Sequence, residues 1–102
     1  ITKPMLAEIK NLYNPPVTIK LISDALCVAL GVQPSWENAN RDVWGDARLI
    51  QHLQEYDKDS IPPPVMQKLR RIVDDRSFTP DLANGFSMAA GTLCNWIHAL
   101  VA

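Results

Sequence analysis

Asn14-Pro15-Pro16, followed by Val17-Thr18-Ile19-Lys20-Leu21-Ile22-Ser23-Asp24-Ala25-Leu26-Cys27-Val28-Ala29-Leu30-Gly31, is the stretch on which the fold turns. Two adjacent prolines remove two backbone donors, and each disfavours the α conformation in the residue before it. One helix cannot run straight through this point. The chain kinks or breaks there, and Pro16 is placed to serve in the first turn of the next helix. From Val17 onward Ile19, Ile22, Leu26, Ala29 and Leu30 recur at helical spacing, and Gly31 reads as the C-terminal stop. Lys20, Ser23, Asp24 and Cys27 fall off that stripe. Upstream, a helix is expected from Ile1 to Tyr13. Its stripe of Met5, Ile9 and Leu12 is narrow, like a coiled-coil seam rather than a broad core face.

Beyond Gly31, Gln33 to Asp42 reads as loop, because Pro34, Ser35, Asn38 and Asn40 give no period. Trp44 is expected as a core anchor, with helix over about Val43–Gln51 and a short helical turn through Leu53–Tyr56. Tyr56-Asp57-Lys58-Asp59-Ser60 is a charged turn. It lacks the glycine and the twelfth-position glutamate that a calcium loop needs. Ile61-Pro62-Pro63-Pro64 opens a helix whose first turn has no donors to lose. That helix should turn Val65, Met66, Leu69, Ile72 and Val73 inward and Gln67, Lys68, Arg70 and Arg71 outward. After a turn at Asp74–Phe78, Thr79-Pro80-Asp81 supplies an N-cap, a proline at the first helical position and an acidic first turn. A break is expected at Asn84-Gly85. From Phe86 the pattern Phe86, Ala89, Leu93, Trp96, Leu100 carries a last helix, with Gly91 as a close packing point.

These readings give an all-α fold: one domain over 1–102, a small bundle of about six helices capping the end of an antiparallel coiled coil. Residues 1–14 and about 86–102 are expected to be the ends of the two coiled-coil strands. The chain starts at Ile1 without a leader-like apolar stretch and ends in helical pattern, which reads as a piece of a longer protein. Hydrophobic content of 47% and charged content of 21% suit a soluble globular domain. No run reaches the roughly 18 apolar residues of a membrane span. A net charge of −1 argues against nucleic acid as partner. Cys27 and Cys94 both sit in apolar helical pattern and read as reduced core residues, which fits a cytosolic compartment.

Catalytic chemistry finds no footing. His52 and His98 lack carboxylate or cysteine partners at metal-ligand spacing, and there is neither a phosphate loop nor a nucleophile elbow. No metal site, no cofactor and no enzymatic activity are expected in this segment. The feature left over is Lys68-x-Arg70-Arg71, with Lys20 on an earlier helix. From Met66 to Val73 there are cations and no acids, a face suited to an acidic partner through screened ion pairs.

The set Asn14-Pro15-Pro16-Val17-Thr18-Ile19-Lys20, Val43-Trp44-Gly45, Tyr56-Asp57-Lys58-Asp59-Ser60-Ile61-Pro62-Pro63 and Ser87-Met88-Ala89-Ala90-Gly91-Thr92-Leu93-Cys94-Asn95-Trp96 resembles the microtubule-binding tip of a dynein heavy chain stalk. Trp44-Gly45 and the Tyr56–Pro63 run look more like axonemal members than cytoplasmic ones. The resemblance implies a non-enzymatic tip that docks on α/β-tubulin, joined by an antiparallel coiled coil to the rest of the heavy chain. ATP and magnesium would belong to the motor ring of that parent chain. It implies that Asn14, Pro15 and Pro16 form the hinge between stalk and tip, and that strand sliding by about half a heptad, roughly 5 Å, switches affinity. It further implies microtubule contacts at Lys20, Lys68, Arg70, Arg71 and Gln54. Met66, Gly85 and Asn95 stand where cytoplasmic members carry cations, and any flap near Trp44 must be small. The implied location is the cytoskeleton of the cytoplasm, and in particular a cilium or flagellum. An α-helical adaptor holding a partner helix in an apolar groove is the alternative reading.

Overall fold

The structure is a computed structural model, and it describes residues 3–12 and 14–102, with Lys3 and Met5 described by their backbone alone. Seven helices occur among the described residues: α1 (Lys3–Lys10), α2 (Val17–Leu30), α3 (Trp36–Asp42), α4 (Leu49–Gln54), α5 (Pro63–Val73), α6 (Pro80–Phe86) and α7 (Met88–Val101). The break at the prolines is where the sequence places it. Pro16 is extended at φ −60° and ψ 159°, and its carbonyl accepts the first helical bond of α2 from the Lys20 N–H at 3.0 Å. It therefore flanks α2 instead of lying within its first turn. Pro15 is buried beneath the joint and Asn14 is exposed.

Helix α2 is the axle of the fold and packs against α3, α5, α6 and α7. A helix covered on several sides buries more than one stripe. This is why Ser23 and Cys27, expected off the buried face, are both inside, while Ala29 and Leu30 at its end are only half-buried. Gly31 ends α2 in the left-handed region at φ 78°, donating to the carbonyls of Cys27 and Val28.

The stretch expected as loop contains α3. Ser35 caps it, accepting from the Asn38 N–H at 3.0 Å, with Glu37 in the first turn. Its polar residues hid the helix, since only Ala39 of α3 is fully buried. Conversely, Val43–Arg48, expected as helix, is a turn. Both the Val43 and Trp44 N–H groups go to the Ala39 carbonyl, and Asp46 Oδ1 accepts from the Arg48 N–H at 2.9 Å. Helix α4 starts only at Leu49.

The three C-terminal helices follow their caps. Pro63 and Pro64 open α5, which buries Leu69 fully and half-buries Val65, Met66, Ile72 and Val73. Thr79 caps α6 through the Leu82 N–H. The break before the last helix falls at Ser87, not at Asn84-Gly85, because the Ser87 hydroxyl caps α7 by accepting from the Ala90 N–H at 3.0 Å. Gly91 is the close packing point: a Cβ there would sit 2.9 Å from the Asn84 Cβ of α6.

Helix α1 packs on α7. Leu6 lies with Leu93 and Trp96, whereas Ile9 and Leu12 lie with Phe86 and Ser87, so the two helices run antiparallel. The seam differs from the expected one. Leu6 and Ile9 are buried and Leu12 is 37% exposed, while Ile1, Tyr13 and the Met5 side chain lie outside the described residues. On the α7 side Ala89, Leu93 and Leu100 are buried as expected and Trp96 is half-buried, but Ala90, Cys94 and Ile97 are buried too, and Phe86, at the end of α6, is exposed.

Candidate functional site

Lys20 stands in the first turn of α2, exposed, beside Asp24 of the same helix and Pro34, Ser35 and Trp36 at the start of α3. Burial pushes the Asp24 carboxyl up from its ordinary value. On α5, Lys68, Arg70 and Arg71 are exposed, held outward by Leu69 in the core. Lys68 and Arg71, three residues apart, share a helix face. Among the described residues the ion pairs are Arg41–Asp42 at 2.9 Å and His52–Asp46 at 2.7 Å. Neither uses any of these four cations, so each presents its charge to solvent.

Gln54 is placed elsewhere. It is exposed at the C-terminal end of α4, on a groove shared with Leu6 and Lys10 of α1 and with Trp96 of α7. That groove does not include Lys20 or the α5 cations. Helix α4 carries no Lys, Arg, Asp or Glu, and its His52 contacts Asp46 through Nδ1 at 2.7 Å. The Arg48 N–H and then His52 hold the Asp46 carboxyl below its ordinary value.

The structure shows two further groups whose setting the sequence did not indicate. The first is a set of exposed apolar side chains: Val17 at 57%, Leu82 at 49%, Phe86 at 52% and Met88 at 72%. Leu82 and Phe86 lie four residues apart on α6 and share a helix face, and Phe86, expected to open the stripe of the last helix, is exposed instead. Val17 shares the first turn of α2 with Lys20. The second is the α5–α6 turn. Phe78 is a fully buried core residue, although its stretch reads as a charged turn. The Tyr56 run, in contrast, is positioned by its aromatic end. The Tyr56 hydroxyl donates to the Ala29 carbonyl at 2.9 Å, and its ring meets Trp96 edge-on at 5.5 Å.

No three His, Cys, Asp or Glu side chains cluster as a metal site among the described residues. Among the described residues the surface thus carries exposed cations outside any ion pair, with Val17 in the same helical turn as Lys20, on an all-helical body built around a proline joint.

That body is the fold of a dynein microtubule-binding domain. A solved structure described as the microtubule binding domain of dynein-C superposes with a TM-score of 0.84 at 27% identity, covering 98% of this chain and 73% of that one. The family model described as the microtubule-binding stalk of dynein motor matches residues 1–102, and the chain belongs to that family. Human dynein axonemal heavy chain 2 is 31% identical over 98% of this chain. The dynein-1-beta heavy chain of the flagellar inner arm I1 complex from Chlamydomonas reinhardtii is 30% identical over 98% of it. A cytoplasmic dynein heavy chain of Caenorhabditis elegans is 29% identical over 97% of it. The chain spans 2% of the length of the first two of these relatives.

Proposed function

We propose that this domain docks on α/β-tubulin through Lys20, aided by Lys68, Arg70 and Arg71, and that its affinity is set by the register of α1 against α7. In this reading residues 1–14 and 86–102 are the ends of the two stalk strands, and Asn14-Pro15-Pro16 is the hinge between stalk and tip. The parent chain is then an ATP-driven axonemal motor, with ATP and magnesium bound in its ring and not in this segment. The observation that carries the reading is the set of exposed cations without carboxylate partners on a fold of this family. Tubulin's acidic surface is the natural partner of such a face. The antiparallel α1–α7 pair supports the switch. Among the described side chains of α1, Leu6 and Ile9 are the buried ones, and a narrow seam can hold two packings of similar energy.

The test is co-sedimentation with microtubules across a salt series. The chain is carried on a rigid antiparallel coiled coil locked in each of two registers. Salt-sensitive binding that differs between registers is the expected result. Absence of binding in both registers would sink the reading, and the adaptor alternative, with its groove along α1, α4 and α7, would take its place.

A further inference from the structure

The α5–α6 turn is gripped from two sides. Thr18, in the first turn of α2 and 3% exposed, donates its hydroxyl to the Ser77 carbonyl at 2.6 Å. His98 of α7 contacts the next carbonyl, that of Phe78, through Nε2 at 2.8 Å. A carbonyl only accepts, so Nε2 carries the hydrogen. The His98 imidazole also stacks on the Phe78 ring, with centroids 5.2 Å apart and planes 28° from parallel. Phe78 itself is fully buried, so the turn cannot swing outward without emptying a core site. Two successive carbonyls of one turn therefore hold side chains from two different helices, and one of those helices carries Lys20 two residues further on.

We propose that the Ser77–Phe78 turn is a bracket that fixes the first turn of α2, and with it Lys20, against α7. Thr18 and His98 are then positioning residues for microtubule binding. This rests on the reading of α1 and α7 as stalk strands with two registers. Helix α1 is joined to α2 through residues 11–16 and pulls on its N-terminal end when it moves. Helices α2 and α7 also pack directly. Apolar contact, however, is non-directional and tolerates sliding. Hydrogen bonds of fixed length and angle do not. The bracket is thus the directional link between the strand that stays with the tip and the turn that carries the contact lysine. When it is intact, movement of α1 is resisted at a defined point and alters Lys20's setting sharply. When it is cut, the first turn of α2 relaxes and the registers differ less.

The test compares microtubule affinity in the two locked registers. Thr18→Val and His98→Leu each remove one donor while keeping bulk. Each should shrink the register-to-register affinity ratio by about three- to tenfold, the value of one net hydrogen bond. Thr18→Ser and His98→Gln, which restore a donor, should recover the ratio. A merely structural role lowers the melting temperature but leaves the ratio untouched. Should one valine or leucine variant fail to fold, the other carries the comparison. A register-dependent wild type whose folded variants keep the full ratio overturns the bracket alone. A wild type with equal affinity in both registers overturns the register reading and the bracket together.

Discussion

The Trp44 indole N–H donates to the buried hydroxyl of Ser23 at 2.9 Å, and that hydroxyl donates onward to the Ile19 carbonyl at 2.9 Å. This chain of bonds ties the 43–48 turn to the centre of α2. It also makes two substitutions unequal. Ser23→Ala leaves a buried indole donor without a partner, which costs about 1–3 kcal/mol. Trp44→Phe removes that donor, and Ser23 keeps its bond to Ile19. Urea unfolding should therefore show that adding Trp44→Phe to Ser23→Ala costs less than Trp44→Phe alone.

Gly91 lets α6 and α7 approach. Gly91→Ala puts a Cβ 2.9 Å from both the Cβ and the Oδ1 of Asn84. Overpacking of this kind costs about 1–3 kcal/mol. Asn84→Gly removes both clashing atoms, so a thermal-unfolding double-mutant cycle should show Asn84→Gly recovering part of the loss.

Lys20→Glu should weaken microtubule binding at least tenfold at low salt, a loss of about 1.4 kcal/mol or more. It should also flatten the salt dependence, because one steering cation is replaced by an anion. Circular dichroism checks that the fold is intact. Full affinity in a folded variant takes Lys20 out of the contact surface.

The double substitution Pro15→Ala/Pro16→Ala should allow α1 to run into α2 as one helix. Microtubule affinity should change while the tip stays folded, and the difference between registers should narrow. Unchanged binding in both registers would remove these prolines from the hinge.

The Cys94 thiol is pushed up to about 11 from an ordinary 9.0 by burial. Cys27 is pushed upward too, chiefly by burial. A raised thiol pKa means the folded state holds its proton more tightly than the unfolded state. The stability this contributes is full below pH 9 and is lost as pH rises towards 11. Unfolding midpoints should fall over that window, and Cys94→Ala should reduce the fall. Native protein at neutral pH should resist alkylation at both cysteines until it is unfolded.

Much of this fold is legible in local chemistry. The proline pair set the α1–α2 joint, Gly31 set the end of α2, and Thr79-Pro80 set the start of α6, because each acts on its own backbone. The motif set points to the family for a related reason: its prolines act on their own backbone, Trp44 is a buried anchor, and Gly91 sits where a Cβ would meet Asn84. Contacts between distant segments were not legible. Helix α3 was hidden because a polar surface helix has no apolar period, and its cap at Ser35 looks like any loop serine. The burial of Ser23, Cys27 and Phe78 depends on how many helices surround α2, which no stripe on α2 alone records. Gln54 lies near α1 and α7 instead of beside the cations, because the 43–48 turn sets where α4 begins. The pairing of Thr18 and His98 on neighbouring carbonyls of one turn joins residues far apart in the chain. Where a proline, a capping glycine or a capped proline breaks the helices, and which family they form, is thus written in the order of the residues. What each face touches is set by packing, since burial and hydrogen-bond geometry belong to the assembled helices and not to any one of them.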